Sequence, residues 1–343
     1  MCEPMISKMK KPKFVPILIM GTAPLFIVFT IALSILYGTK DIDVTTIWMA
    51  ITQFDSGNVD HNIIMQSRLP RVLAALLVGA FLAISGAIMQ GMTRNYLASP
   101  SIMGVTDGSA FVITICMIFY PGMSNFNLII CSMIGSAFGA GIVFGFGSLM
   151  RNGLSPVRLA IIGTVIGTFL SSISAALSTY FQISQDMSFW YNAKIHKVDP
   201  EVLLLALPFG LVGLFLALYI AKSITILSIG EDISISLGQR TKWVKAISIV
   251  IVVCLTGTAV ALVGKIGFVG LIIPHITRFL VGVDYRFVIP CSAIIGGVFL
   301  ALCDVGSRFI NFPFETPVGV VTSLIGVPFF LYLIRTRGGE RRA

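Results

Sequence analysis

Charge is scarce in this sequence. Lys, Arg, Asp and Glu make up 11% of the 343 residues, where a soluble domain carries about 25% to solvate its surface. With 56% hydrophobic residues, in runs that recur along the whole length, the chain cannot be one water-soluble core or a soluble domain on a single anchor. The runs are continuous and lack the period-two alternation of barrel strands, which excludes a membrane β-barrel. Nucleotide-binding chemistry is also missing. No G-x-x-x-x-G-K-S/T stretch occurs, and the nearest relative, "VGKIG" (263–267), lacks the leading glycine and the hydroxyl residue. No His-Glu-x-x-His or paired-carboxylate motif is present, so no catalytic residue is expected and the chain does not read as an enzyme. The six cysteines show no C-x-x-C spacing. His61, His196 and His275 have no carboxylate or cysteine at ligand spacing, so neither a metal nor another cofactor is expected.

What is present is a polytopic, all-α membrane protein. About 17–25 apolar residues suffice for a span, which predicts ten helices. The first five lie near 14–36, 71–92, 101–119, 127–149 and 157–181. The second five lie near 202–221, 243–263, 267–283, 287–303 and 316–334. The basic N-terminal stretch "MISKMKKPKF" leads into a first span expected to be retained, and residues 1–343 read as a single membrane domain. The net charge of +9 resides in short connections between apolar runs, which points to topology and not to nucleic acid. With both termini cytoplasmic, 17 Lys and Arg fall inside and 7 outside, Lys265 among the latter.

Three local features stand out. "SRLPR" (67–71) places Arg68 and Arg71 at the outer mouth of a span, against the prevailing bias. Lipid headgroups or loop aspartates such as Asp55 and Asp60 are one set of partners for them. The connector "SIGEDISISLGQR" (228–240) predicts a short cytoplasmic helix. Ser228 and Glu231 match a capping box, Asp232 adds a second acid to the first turn, and Gly238 supplies a stop. Its stripe of Ile229, Ile233 and Leu237 suits either the lipid interface or a cytoplasmic partner. Gly141/Gly145 and Gly163/Gly167 carry the G-x-x-x-G spacing of close intramembrane packing or of a dimer seam.

Three longer stretches together resemble one family. They are "SRLPRVLAALLVGAFLAISGAIMQGMTRNYLASPSIMGV" (67–105), "GFVGLIIPHITRFLVGVDYRFVIP" (267–290) and "ETPVGVVTSLIGVPFFLYLI" (315–334). They resemble the permeases of bacterial ABC importers for iron–siderophores, haem and vitamin B12. The resemblance implies ten helices, with helices two to five and seven to ten as inverted repeats. It implies a multi-pass protein of the bacterial cell membrane, paired with a second permease that is either a copy or a paralogue. Cytoplasmic ABC ATPase subunits and an extracytoplasmic siderophore-binding lipoprotein are the other partners it implies. By the same resemblance, Arg68, Arg71 and Arg308 receive acidic side chains of the binding protein. The connector 228–240 becomes a coupling helix seated in the ATPase. Asn95 and Leu97 in "RNYLAS", joined by Ser155 in "NGLSP", become a cytoplasmic gate. Ferric siderophore is the expected cargo, with haem and vitamin B12 open. An ion-coupled secondary transporter is a weaker alternative, because only Asp107, Asp304 and Glu315 bring acids near spans. Asp107, expected near the cytoplasmic end of its span, stands where the family suggests a neutral residue. The outer stretch 189–201 also departs from the family pattern.

Overall fold

A computed structural model describes residues 14–38, 42–149, 156–191, 195, 198–312 and 314–338. Among these the secondary structure is helical, apart from one isolated bridge between Asn311 and Phe314. α1 (Phe14–Leu36) is followed by two short outer helices, α2 (Val44–Thr52) and α3 (Val59–Asn62). α3 runs through a wide π-helical turn, Ile63–Arg68, into α4 (Leu69–Thr93). Then come α5 (Val105–Phe119), α6 (Asn125–Leu149), α7 (Pro156–Tyr180), the short α8 (Ser184–Tyr191) and α9 (Pro200–Ile229). α10 (Glu231–Ser236), α11 (Thr241–Val263), α12 (Val269–Val281), α13 (Tyr285–Ser307) and α14 (Val318–Gly338) complete the order. Seven of the described helices are long and apolar enough to cross a membrane, and α5, α12 and α14 add three shorter apolar ones. The ten spans read from hydropathy all correspond to helices. Residues 42–67, by contrast, are more ordered than their polarity suggests. Ile35, Ile42, Ala50 and Ile64 bury a small satellite core there.

The two sets of four helices share a plan. α4–α7 run long, short, long, long, and so do α11–α14, the short members being 15 and 13 residues. Each first helix ends on a residue with positive φ, Arg94 (51°) or Gly264 (79°). Each short helix then starts behind another, Gly104 (72°) or Phe268 (68°). The repeats interlock: α4 packs on α13 and α12 of the second set, while α11 packs on α6 of the first. The turn 264–268 is therefore the counterpart of the loop 94–104, at the opposite end of the bundle.

α4 is the pillar. Some 78% of its apolar window is buried, against 17% for α1 and 28% for α7. Burial that deep requires backbones to meet. A Cβ at Gly86 would overlap the carbonyl of Gly270 on α12, and one at Gly79 would overlap that of Gly296 on α13. The sequence-level G-x-x-x-G pairs behave differently. A Cβ at Gly141 or Gly145 would meet nothing within 4 Å among the described residues. Gly163 and Gly167 abut the α5 region, Gly163 at the Ile102 carbonyl and Gly167 at the Asp107 carboxylate. Packing uses these two glycines, but as separate contacts and not as a helix-crossing seam.

Gly86→Ala is expected to destabilise the protein by about 3 kcal/mol, the upper end for an overpacked core. Gly141→Ala, which fills open space, should stay within about 0.5 kcal/mol of wild type. Thermal unfolding of the detergent-solubilised variants checks both. Equal melting temperatures would show that α4 and α12 are not held at this distance.

Candidate functional site

At the outer end of α4, Pro70 offers no N–H, and the ladder widens upstream so that Leu69 N–H donates to Ile64 O. This wide turn and the first turn of α4 direct Arg68 and Arg71 inward, where Arg308 from the end of α13 joins them. All three are buried, at 6%, 8% and 4% exposure. Arg71 grips Asp304 through Nε (3.0 and 2.9 Å) and Nη2 (2.9 Å), and reaches Glu315 through Nη1 (2.8 Å). Arg308 Nη2 donates to Asp304 Oδ2, which Arg71 Nε also reaches, at 2.6 Å. Its Nη1 donates to the Ser34 and Tyr37 carbonyls, each at 2.7 Å. Arg68 Nη1 donates to the carbonyls of Ile35 and Leu36. Two guanidinium groups thus cap the carboxyl end of α1, whose last carbonyls have no helical donor and carry the negative end of the helix dipole. The carboxylates that Arg71 holds, Asp304 and Glu315, lie 233 and 244 positions along the chain. The arginines do not present open forks at the surface; any outside carboxylate would have to displace an internal acceptor.

Asp107 sits in the first turn of α5, at the end of that helix nearest the 94–104 loop, and because α5 starts deep in the bundle it also reaches the middle of a neighbouring helix. It lies against Gly167, halfway along the 25-residue α7. Its neighbour Ser109 pairs with Ser132 on α6 at 2.6 Å. Lys265, read from sequence as an outer-loop charge, reaches down from the turn 264–268. Its Nζ donates to Asp107 Oδ1 at 2.6 Å and to Ser171 Oγ at 3.2 Å. Ser171 Oγ donates to the same Asp107 oxygen at 3.0 Å.

At the inner end, Asn95 and Leu97 occupy one tight turn. Asn95 Oδ1 accepts from Leu97 N–H (3.0 Å), while Asn95 N–H returns to Gln90 O (3.2 Å). Leu97 and Tyr96 project, at 39% and 45% exposure. Ser155 lies outside the described residues. Hydropathy gave no sign of the brace behind this turn. Arg278, counted above as a cytoplasmic charge, is buried, donates to Gln90 Oε1, and sits 4.8 Å from the Tyr96 ring centroid. His275 meets the same ring edge-on at 6.3 Å.

The connector also differs from its sequence reading. Ser228 is not an N-cap: α9 continues through it to Ile229, and its hydroxyl donates back to Thr225 O at 2.7 Å. Gly230 occupies the cap position without a side-chain bond. Glu231 instead pairs with Lys245 of α11 at 2.6 Å, which holds its carboxyl below the ordinary value of 4.5. That tether is complete above pH 4.5 and opens as pH falls through the lowered value. Asp232 is exposed in the first turn. Ile229, Ile233 and Leu237 stand 55%, 48% and 66% exposed, but not as one helical stripe, since Ile229 ends α9, Gly230 breaks the helix and Leu237 caps α10. Gly238, at φ 78°, ends the turn, its N–H donating to Ile235 O. A cavity of about 300 Å³ between Arg94, Glu231 and Lys245 separates this helix from the start of the Asn95 turn.

The family model described as the FecCD transport family matches residues 26–336. The chain is 59% identical over 324 residues to the iron-uptake system permease protein FeuB of Bacillus subtilis (strain 168), covering 94% of this chain and 97% of that protein. It is 54% identical over 310 residues to the iron(3+)-hydroxamate import system permease protein FhuB of the same organism, covering 90% and 80%. A solved structure described as an inward-facing conformation of a metal-chelate type ABC transporter superposes with TM-score 0.78 at 31% identity, covering 94% of this chain and 99% of that one.

Removing the buried carboxylate while leaving its arginines is the costly change at the outer cluster. Asp304→Asn is expected to destabilise by about 3–5 kcal/mol. Glu315→Gln, whose side chain is 28% exposed, should cost under about 1 kcal/mol. Membrane yield and thermal unfolding measure the contrast. Equal effects would show that Asp304 is not the central counter-charge.

Proposed function

This chain belongs to the FecCD transport family, and on that premise we propose that it is the membrane-spanning permease of an ATP-driven importer carrying ferric siderophore into the cytoplasm. The observation that carries the reading is α10. A short helix presenting Ile233 and Ile235 to the outside, flanked by exposed Ile229 and Leu237, in a chain without a nucleotide-binding motif, suits a groove on a separate ATPase. The chain works as one membrane domain, with residues 228–240 as its coupling element and both termini cytoplasmic, in the cell membrane of a bacterium. A second permease, identical or paralogous, completes the path. Haem and vitamin B12 are the alternative cargoes within the family.

The proposed transmission follows short contacts. ATP-driven closure of the ATPase moves α10, and Glu231–Lys245 passes that motion to α11. Arg94, the left-handed residue that ends α4, lies across the small cavity and leads into Asn95 and Leu97. Arg278 and Gln90 hold that turn from behind, so displacing it opens the inner end. At the outer end, the binding protein docks above Arg68, Arg71 and Arg308. Its carboxylates exchange with Asp304 and Glu315 for the same guanidinium groups, and exchange between charge-assisted partners avoids leaving a bare buried charge.

An ion-coupled transporter would also place a charged pair at mid-depth, as Asp107 and Lys265 are placed. Reconstitution separates the two readings. Proteoliposomes containing the permease, its ATPase and its binding protein should accumulate radio-iron as ferric siderophore only with internal ATP. Uptake without the ATPase would favour ion coupling, and accumulation of haem alone would overturn the cargo. Ile233→Asp, at an exposed position, should weaken co-purification of the ATPase at least about tenfold, as loss of an interface anchor does, without lowering the melting temperature. Undiminished co-purification would remove α10 from the interface.

A further inference from the structure

Asp107, Lys265 and Ser171 are left over from the functions assigned above. Three residues from three separate elements converge on one point, although Lys265 and Asp107 are 158 positions apart. The site is shaped for the pair: a Cβ at Gly167 would collide with Asp107 Oδ2. A cavity borders it on each side. Lys265 lines a cavity of about 640 Å³ against α14, with Pro317, Gly319 and Ser323. Asp107 and Ser171 line a second cavity, about 520 Å³, against α7. Six of the nine residues around that second cavity are polar: Ser101, Asp107, Thr164, Thr168, Ser171 and Ser172. Thr164, Thr168 and Ser172 recur every fourth residue on the exposed face of α7. Ile161, Val165 and Phe169 are exposed beside this hydroxyl line on α7, and it is the hydroxyl line that adjoins the ion pair. The lysine and aspartate side chains are 25% and 19% exposed, so both charges can be reached from the cavities beside them.

We propose that Lys265, held by Asp107 and Ser171, is an anion-recognition site on the translocation path, engaging negatively charged metal chelates as they pass the turn 264–268. The proposal rests on the importer reading above and adds the charge class of its cargo. Lys265 offers an ammonium to the larger cavity from the repeat-related counterpart of the inner gate loop. A chelate oxygen exchanges with Asp107 for that ammonium, one charge-assisted hydrogen bond replacing another. Ser171 keeps a bond to Asp107 during the exchange. Because the gain is a difference between two similar bonds, the site selects by charge without trapping the cargo. An unpaired lysine there would hold an anion too long.

Binding measured directly on the permease–ATPase complex in lipid nanodiscs tests this, with radio-iron as a trianionic ferric tris-catecholate or as an uncharged ferric trihydroxamate. Wild type is expected to prefer the trianion by about fivefold at low salt, the order of one partly screened charge interaction. Lys265→Gln should abolish the preference and Lys265→Arg should retain it. Asp107→Asn should strengthen trianion binding several-fold and slow its release. The exchange of both residues, Lys265→Asp with Asp107→Lys, rebuilds an ion pair but moves the ammonium to the α7 cavity, and should not restore the preference. A pair serving only to brace the turn would be rescued by that exchange, which would overturn the proposal. So would equal or undetectable binding of the two chelates by wild type, or an unchanged preference in Lys265→Gln. ATP-driven uptake by wild-type proteoliposomes is scored separately: its absence overturns the importer reading, not the charge preference.

Discussion

The backbone contact between α4 and its neighbours α12 and α13 sets the geometry of everything else. Glycines at 79, 86, 270 and 296 let three helices meet without intervening side chains. In a membrane, where hydrocarbon solvates apolar side chains as well as protein does, such contact area is what holds helices together. With α4 fixed, its ends become reference points. Its outer end presents Arg71 to Asp304 and its inner end presents Gln90 to Arg278. The mid-depth approach of Gly86 to Gly270 places the turn 264–268, and with it Lys265, within reach of Asp107.

Charges in this chain are few, and the structure stacks them at three depths. The outer cluster is the driest, with Asp304 fully buried and shared by two arginines. Buried ions of this kind stabilise little in net terms but are costly to break singly, so the cluster acts more as a constraint on geometry than as a source of stability. The middle pair is partly solvated and can exchange partners. At the inner end, Glu231–Lys245 is the wettest of the three, and it links the exposed helix α10 to a spanning one. Exchangeability rises from outside to inside along with solvent access, a gradient that suits a path alternately closed at either end.

Much of the architecture was legible. Ten apolar runs became ten helices because a bilayer leaves a buried backbone almost no alternative to satisfying itself within a helix. Asn95 and Leu97 share a turn, as their setting between spans suggests. Ile229, Ile233 and Leu237 are exposed, as their local period suggests, although Gly230 breaks the helix between the first two. Ser228 misled, since a capping box describes a helix start only if the preceding helix has ended, and α9 had not. Gly141 and Gly145 leave a Cβ open space, so of the two readings of their spacing only the dimer seam needs a second chain to test it. Arg278 counted as a loop charge because its hydrogen-bond partner, Gln90, lies far away in the chain. Asp107 drew notice as a lone acid in an apolar run. The matching signal, a lone lysine in "VGKIG", was present but could not be paired with it.

By itself, the sequence determined the solvent, the helices and the presence of an amphipathic connector. Each of these depends on composition or on periodicity within some twenty residues. Tertiary structure alone decided which charges meet. Arg71 and Asp304 are 233 positions apart, and Lys265 and Asp107 are separated by 158. Ion pairs at such separations leave no periodic trace, because their distance is fixed by helix packing and not by the chain between them. The arginines of "SRLPR" show the difference most plainly. Their charge and their place at a helix mouth can be read in five letters, but their burial against Asp304 and the end of α1 exists only once the helices have packed.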